Sequence, residues 1–229
     1  MISVIIPTYN ESTVIGGLIR FLIANTSNQV AEIFVSDAGS SDGTVEAAAK
    51  AGAVVLHSPE KGRAAQMNYA ALRSKGSVLY FVHADCFPPA GFAKDIMDAV
   101  KNGYDCGRYQ TRFMSNLFLL KLNAFFTRFD FFSCYGGDQT LFITKDLFNQ
   151  LHGFDITKKI MEDYDLTVRA RKNGRYKIFK KKVLISARKY ELNSWLQVQR
   201  ANYKAVQSYK KGMSTTEIAI NYKKMLRLQ

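Results

Sequence analysis

Val78-Leu79-Tyr80-Phe81-Val82-His83-Ala84-Asp85-Cys86-Phe87-Pro88-Pro89 is the stretch on which the reading of the chain turns. Five residues suited to a buried strand, Val78 to Val82, run straight into His83, Ala84 and Asp85, and two prolines then stop the strand from continuing. In an open α/β sheet, ligands bind outside the carboxyl ends of the strands. A carboxylate there can hold a divalent metal on a nucleotide diphosphate. It can equally cap the helix that follows the turn.

Upstream, the same unit recurs. Ile2 to Ile6 is a short apolar run that Pro7 ends, followed by the polar loop Thr8-Tyr9-Asn10-Glu11 and a helical spacing of Val14, Leu18, Ile19 and Leu22. Val30 to Ser36 is a second strand. It enters Asp37-Ala38-Gly39-Ser40-Ser41-Asp42-Gly43-Thr44, a dense turn signal before an Ala-rich helix, Val45 to Lys50. Ala53 to His57 is a third strand, then the loop Pro59 to Arg63 and a helix of good formers, Ala64 to Arg73. Strands alternating with helices at this pace predict a parallel sheet covered by helices on both faces. The polar residues after each strand then gather along one edge: Thr8, Tyr9 and Glu11, then Asp37, then Lys61 and Arg63, then His83 and Asp85.

Downstream the pattern is less regular. Pro88 to Val100 reads as a helix and Tyr104 to Arg112 as a strand. Phe113 to Phe132 has helical periodicity with many aromatics. A glycine-hinged loop, 133–139, leads to a strand from Thr140 to Thr144 and a short helix. Met161-Glu162-Asp163-Tyr164-Asp165 opens a helix reaching about Lys172, its acidic first turn suiting the positive end of the helix dipole. Tyr176 to Phe179 and Val183 to Ala187 read as two strands around Lys180-Lys181-Lys182, and two helical segments follow Ser194.

At 229 residues the chain fits one domain with a substantial core, and its 47% hydrophobic content is that of an ordinary globular protein. Met1 leads straight into an apolar strand with no basic leader or cleavage site, so no signal peptide is expected. Phe113 to Phe132 is interrupted by Lys121, Arg128 and Asp130 and makes a poor transmembrane span. Three widely spaced cysteines without C-x-x-C favour free thiols and a cytoplasmic protein. Residues 158–229 hold 19 of the 32 Lys and Arg but 5 of the 19 Asp and Glu. That basic tail is either a solvated face or a surface for an anionic partner: nucleic acid, acidic lipid or a phosphorylated substrate.

The ordered pieces Pro7-Thr8-Tyr9-Asn10-Glu11, Asp37 to Thr44, Lys61-Gly62-Arg63, His83-Ala84-Asp85 and Glu162-Asp163 resemble the family 2 glycosyltransferases. Those enzymes have the GT-A fold, an α/β, nucleotide-diphospho-sugar transferase-like, mostly parallel sheet flanked by helices. The resemblance covers about residues 1–190, divided into a nucleotide half, about 1–103, and an acceptor half, about 104–190. Residues 191–229 form a basic helical C-terminal extension.

The resemblance implies a metal-dependent, inverting transfer of a sugar from a nucleotide diphosphate to an acceptor hydroxyl or lipid phosphate. It implies that Pro7, Thr8, Tyr9, Glu11 and Asp37 surround the nucleoside, with Tyr9 stacking on the base and Asp37 accepting hydrogen bonds from base or ribose. Many members carry a second acid where this chain has Ala38. Lys61 and Arg63 match the loop near the phosphates or ribose. His83-Ala84-Asp85 stands in place of a D-x-D motif, with Asp85 on Mn²⁺ or Mg²⁺. Its neighbour His83 is either a further ligand or a residue that orients a phosphate or sugar. Asp163 matches the catalytic base, Glu162 a neighbour touching acceptor or donor sugar, Asp138 the loop over the sugar, and Arg188 a clamp on the diphosphate.

Blander readings stand beside these. Asp37 and Asp42 suit a turn and a helix cap, Glu162 and Asp163 acidic capping, and Lys61 and Arg188 solvated charges. His57 and His152 read as structural. Phe113 to Phe132 is a core helix, a homodimer contact, or, with the basic tail, a face lying on the inner surface of an anionic membrane. Two other functions compete. A sugar-nucleotide nucleotidyltransferase would need a glycine- and base-rich first loop, which Pro7 to Glu11 lacks. A nucleic-acid-binding protein would leave the polar strand-end loops unexplained.

Overall fold

The structure, a computed structural model, describes residues 1–132, 135 and 140–227. Its first half is a strict alternation: β1 (Ile2–Thr8), α1 (Ser12–Ala24), β2 (Val30–Asp37), α2 (Thr44–Lys50), β3 (Val54–His57), α3 (Arg63–Arg73) and β4 (Val78–Phe81). Then come β5 (Cys86–Phe87), α4 (Phe92–Lys101), β6 (Cys106–Phe113), α5 (Phe118–Phe126), β7 (Leu141–Thr144) and α6 (Lys145–Gln150). The chain continues through α7 (Glu162–Asn173), β8 (Tyr176–Ile185), α8 (Arg188–Leu192), α9 (Trp195–Lys210) and α10 (Thr215–Met225).

The strands form one sheet in the order β3-β2-β1-β4-β7-β6-β8-β5. β1 to β4 are mutually parallel, β6 and β8 are parallel, and β7 and β5 run antiparallel to their neighbours. All seven residues of β1 are buried, as a central strand covered on both faces requires. Ile2, Val4 and Ile6 face one core with α1, α2 and α4, while Ile5 faces the other with α3, α6 and α7. The chain steps outward from β1 through β2 to β3, then returns to add β4 on the other side of β1. Such a reversal of strand order opens a crevice at the carboxyl edge, the usual ligand position in open sheets.

Several expectations are corrected. β1 does not end before Pro7 but runs to Thr8: Pro7 pairs with Ser36, while the pairing with β4 stops at Ile5 and Phe81, so proline has a strand neighbour on one side only. The strand does stop before the prolines at 88 and 89, but β4 ends at Phe81 and a second short strand, β5, follows Asp85 and pairs with the end of β8. The two strands read around Lys180 to Lys182 are one: the partner of β6 jumps from Phe179 to Lys182, a bulge that absorbs Lys180 and Lys181. Lys181 reaches Asp95 at 2.8 Å. Phe113 to Phe132 is no core helix. Its helical part is the nine residues of α5, and Leu120 is the one among them fully buried. The tail folds back on the body: α9 and α10 pack around Val198, Ala201 and Leu226, and Thr215 Oγ1 accepts from the Lys159 N–H and donates to the Thr157 carbonyl. No helix among the described residues is long and apolar enough to cross a membrane.

Candidate active site

The loops after β1 and β2 are built first. Asp37 ends β2 with a buried carboxylate whose oxygens are all engaged. Oδ1 accepts from Thr8 Oγ1 at 3.0 Å and Ser40 Oγ at 2.5 Å; Oδ2 accepts from the N–H groups of Gly39 and Ser40, each at 2.8 Å. Four donors fill the acceptor sites of a carboxylate. Burial opposes its charge, but the bonds from Ser40, Thr8 and Gly39 outweigh burial and hold the Asp37 carboxyl below its ordinary range. These bonds fix the Asp37 carboxylate at the end of β2 and shape the loop that follows it. Asp42 acts as a turn and cap residue, accepting from Thr44 Oγ1 and the N–H groups of Thr44 and Ser12, and the Thr44 hydroxyl leads in pulling its carboxyl down to about 2. Gly43, next to it, holds φ at +85°, a conformation a side chain would strain.

Asp37→Ala is expected to cost about 2–3 kcal/mol, since bonds to a charged acceptor are worth roughly 1.5–3 kcal/mol net and buried Thr8 loses its partner. Urea unfolding should show a lower midpoint at unchanged slope. Because the folded-state pKa is depressed, this stabilisation is present above about pH 4, where the unfolded carboxyl is ionised, and is lost as the pH falls through the lower folded value.

Gln66, which sequence reasoning missed, fastens the two strand ends: its Nε2 donates to the Thr8 and Ser36 carbonyls, both at 2.7 Å. The available signal was an amide set among the inward-facing Ala64, Met67, Ala70 and Ala71 of α3. Tyr9 leaves this frame with its ring largely exposed, and Lys61 Nζ stands 5.6 Å from the ring centroid. Pro7 and Ala84 are buried and contribute shape.

The charged groups meet farther along the edge. The β5–β8 pairing sets Cys86 opposite Ile185, and the Ser186 N–H donates to the Asp85 carbonyl at 3.2 Å. That brings Arg188, the first residue of α8, to Asp85. Its guanidinium spans two loops, with Nη1 3.1 Å from Glu11 Oε2 and Nη2 3.3 Å from Asp85 Oδ2. On the other side, His83 Nε2 lies 3.7 Å from Asp163 Oδ2, with side chains 14% and 15% exposed. Arg63 Nη1 lies 3.8 Å from Glu162 Oε1.

Burial works against a charged His83, but the nearby Asp163 carboxylate, with Asp85 adding, outweighs it and raises the imidazole above its ordinary value. Burial and then the charge of Asp163 push the Glu162 carboxyl up, with Arg63 pulling it back. Acidic and basic groups are therefore interleaved along one edge: Glu11, Arg188 and Asp85, then His83, the adjacent acids Asp163 and Glu162, and Arg63. The histidine that replaces the first acid of the D-x-D pattern is engaged with the acidic pair. Asp138 lies outside the described residues.

No group of three His, Cys, Asp or Glu among the described residues could hold a metal by itself. Asp85, a third exposed, offers the oxygen donor a hard cation takes. Magnesium-type ions bind through one or two carboxylates and complete their shell with phosphates and water. The donor set thus fits a divalent metal that arrives with a diphosphate, and not one caged by protein alone.

Comparison with known proteins gives the family. The sequence matches the model of glycosyl transferase family 2 over residues 3–160, more than half of the chain, ending just before the acidic pair. No curated protein matches. Among solved structures, the mannosyltransferase PcManGT from Pyrobaculum calidifontis, in complex with GDP-Man and Mn²⁺, is similar with a TM-score of 0.68 at 17% identity, covering 92% of this chain and 63% of that one. S. aureus TarS 1-349 gives 0.67 at 18%, covering 87% and 64%. Glucosyl-3-phosphoglycerate synthase from Mycobacterium tuberculosis, in complex with Mn²⁺, UDP and glucosyl-3-phosphoglycerate, gives 0.66 at 16%, covering 93% and 80%. The chain therefore spans less than two thirds of the first two. By its family match and its sheet, this chain belongs to glycosyl transferase family 2 and has the GT-A fold.

Proposed function

We propose that the protein transfers a sugar from a nucleotide diphosphate to an acceptor hydroxyl or lipid phosphate, with inversion and with a divalent metal. The observation that carries this reading is the single edge on which a metal-suited carboxylate, Asp85, paired with Arg188, shares its strand-end turn with His83, which faces Asp163 of the acidic pair. Mn²⁺ in the structure with GDP-Man, and in the one with UDP and its product, supports the metal.

In this mechanism Tyr9 stacks against the base. Asp37, held by the donors of its own loop, borders the base or ribose, and Ala38 offers no second carboxylate there. Lys61, Arg63 and Arg188 face the diphosphate, Arg188 giving up part of its hold on Asp85 and Glu11 to do so. Asp85 would hold the metal, which when bound offsets charge on the departing diphosphate. Asp163 takes the proton of the acceptor hydroxyl as that oxygen attacks the anomeric carbon and the bond to the diphosphate breaks. His83 faces Oδ2 of Asp163, and the carboxylate keeps a second oxygen for the proton. Glu162, held by Arg63, borders the sugar or acceptor. Residues 1–190 form the transferase unit in this reading and 191–229 an extension.

The test is a donor screen. Purified protein with Mn²⁺ or Mg²⁺ is offered a panel of nucleotide sugars and followed by thermal shift and slow hydrolysis. One donor is expected to raise Tm with metal and to release a nucleoside diphosphate. A nucleotidyltransferase would instead release pyrophosphate in a parallel arm that offers a nucleoside triphosphate with a sugar 1-phosphate.

A further inference from the structure

The helix α5 is inside out. Phe118, Leu122 and Phe125, at i, i+4 and i+7, form one stripe, yet all three are exposed, Phe118 by 75%. Between Met114 and Phe131, nine large apolar side chains are exposed. A contiguous patch of this kind marks an interaction surface.

The patch does not stop at α5. Tyr190 of α8 accepts at its hydroxyl from Asn123 Nδ2 at 3.4 Å and Gln199 Nε2 at 3.3 Å, joining α5 to α9. On α9 the buried stripe is Val198, Ala201 and Ala205, and the opposite side presents Leu196, Arg200, Tyr203 and Lys204. Leu196 and Tyr203 are 59% and 67% exposed. At the far end the ring of Phe132 stacks with that of Tyr209 of α9, at 6.2 Å, and lies 5.2 Å from Tyr164, the residue after Asp163. The face thus runs from the outer surface to the border of the acidic pair.

Its charge decides the occupant. Lys121, Arg128, Arg200 and Lys204 are set among the apolar side chains, and α9 carries no acid. Asp130, the acid in the 113–132 segment, is paired with Arg171. In a two-fold contact between copies the patch would meet itself, cation against cation. A bilayer bearing anionic phospholipid takes both features at once, headgroups to the cations and acyl boundary to the rings. With nine residues, α5 is roughly 13 Å long and lies along such an interface without crossing it. We infer that the face formed by α5 and α9 docks the protein on the surface of an anionic lipid bilayer, with the candidate active site beside the contact.

The experiment is vesicle co-sedimentation of the full chain, with phosphatidylcholine alone and with equal parts phosphatidylcholine and phosphatidylglycerol. Binding to the mixed vesicles is expected, with little to phosphatidylcholine and a decline as salt rises. Phe118→Ser with Phe125→Ser should weaken it by about tenfold or more. Lys121→Glu with Lys204→Glu, a second route should the first variant fold poorly, should remove the preference for phosphatidylglycerol. Failure of the parent chain to bind either vesicle, or full binding by both variants, overturns the inference. A dimer in solution that the Phe118/Phe125 variant converts to monomer would assign the face to a second copy. Donor binding, read by thermal shift in the absence of lipid, is expected to be unchanged in these variants, so this inference and the transferase reading fail separately.

Discussion

Asp163→Asn is expected to lower the transfer rate about 10²–10⁴-fold, the usual contribution of a positioned general base, while donor affinity in the presence of metal stays within about threefold. The amide is nearly isosteric, so its oxygen can keep the parent carboxylate's place 3.7 Å from His83. What it cannot do is take a proton. The measurement is kcat at saturating donor and acceptor alongside calorimetric titration of the donor. Loss of kcat with retained Kd is the signature of an interaction made in the transition state. Full turnover by the variant would remove Asp163 from the chemistry. Glu162→Gln is the control on its neighbour. The parent side chain is almost sealed and faces Arg63, so the variant should alter KM for sugar or acceptor more than kcat.

The strand-loop units of residues 1–85 were legible because short apolar runs between polar punctuation admit few alternatives. The edge they define followed from parallel pairing alone. The fold of this half and the neighbourhood of Glu11 and Asp85 could therefore be read without coordinates, whereas only the family resemblance put Asp163 beside them. The partnerships could not. Arg188 and Glu11 stand 177 positions apart, and what joins them is a two-residue strand, β5, whose pairing with β8 has no sequence signature. Asp37 illustrates a different limit: an aspartate that reads a base and one that closes a turn occupy the same place in the sequence. The four donors around it show the turn role, which the sequence alone could not separate from the other. For α5, periodicity predicts an apolar stripe but not which side of the helix is covered, so an outward-facing stripe reads as a core helix.

Asp85→Asn is expected to be as damaging as loss of the base, by a route that leaves a different trace. Metal stabilisation of a departing diphosphate is worth several kcal/mol, and each 1.4 kcal/mol is a factor of ten, so kcat/KM should fall about 10²–10⁴-fold. Unlike Asp163→Asn, this variant should bind donor no better with Mn²⁺ than with a chelator, because it removes the one carboxylate this reading assigns to the metal. Arg188 supplies the internal comparison. It contacts both Asp85 and Glu11, so Arg188→Ala removes a cation from beside the candidate metal ligand as well as from the diphosphate. That variant should therefore bind donor more weakly at every metal concentration, yet keep, or even increase, the gain in affinity that Mn²⁺ brings. If Asp85→Asn retained the Mn²⁺-dependent gain and Arg188→Ala lost it, the ligand would lie elsewhere on the edge, with Glu11 next to be tested, since Arg188 alone separates it from Asp85 in the chain of contacts.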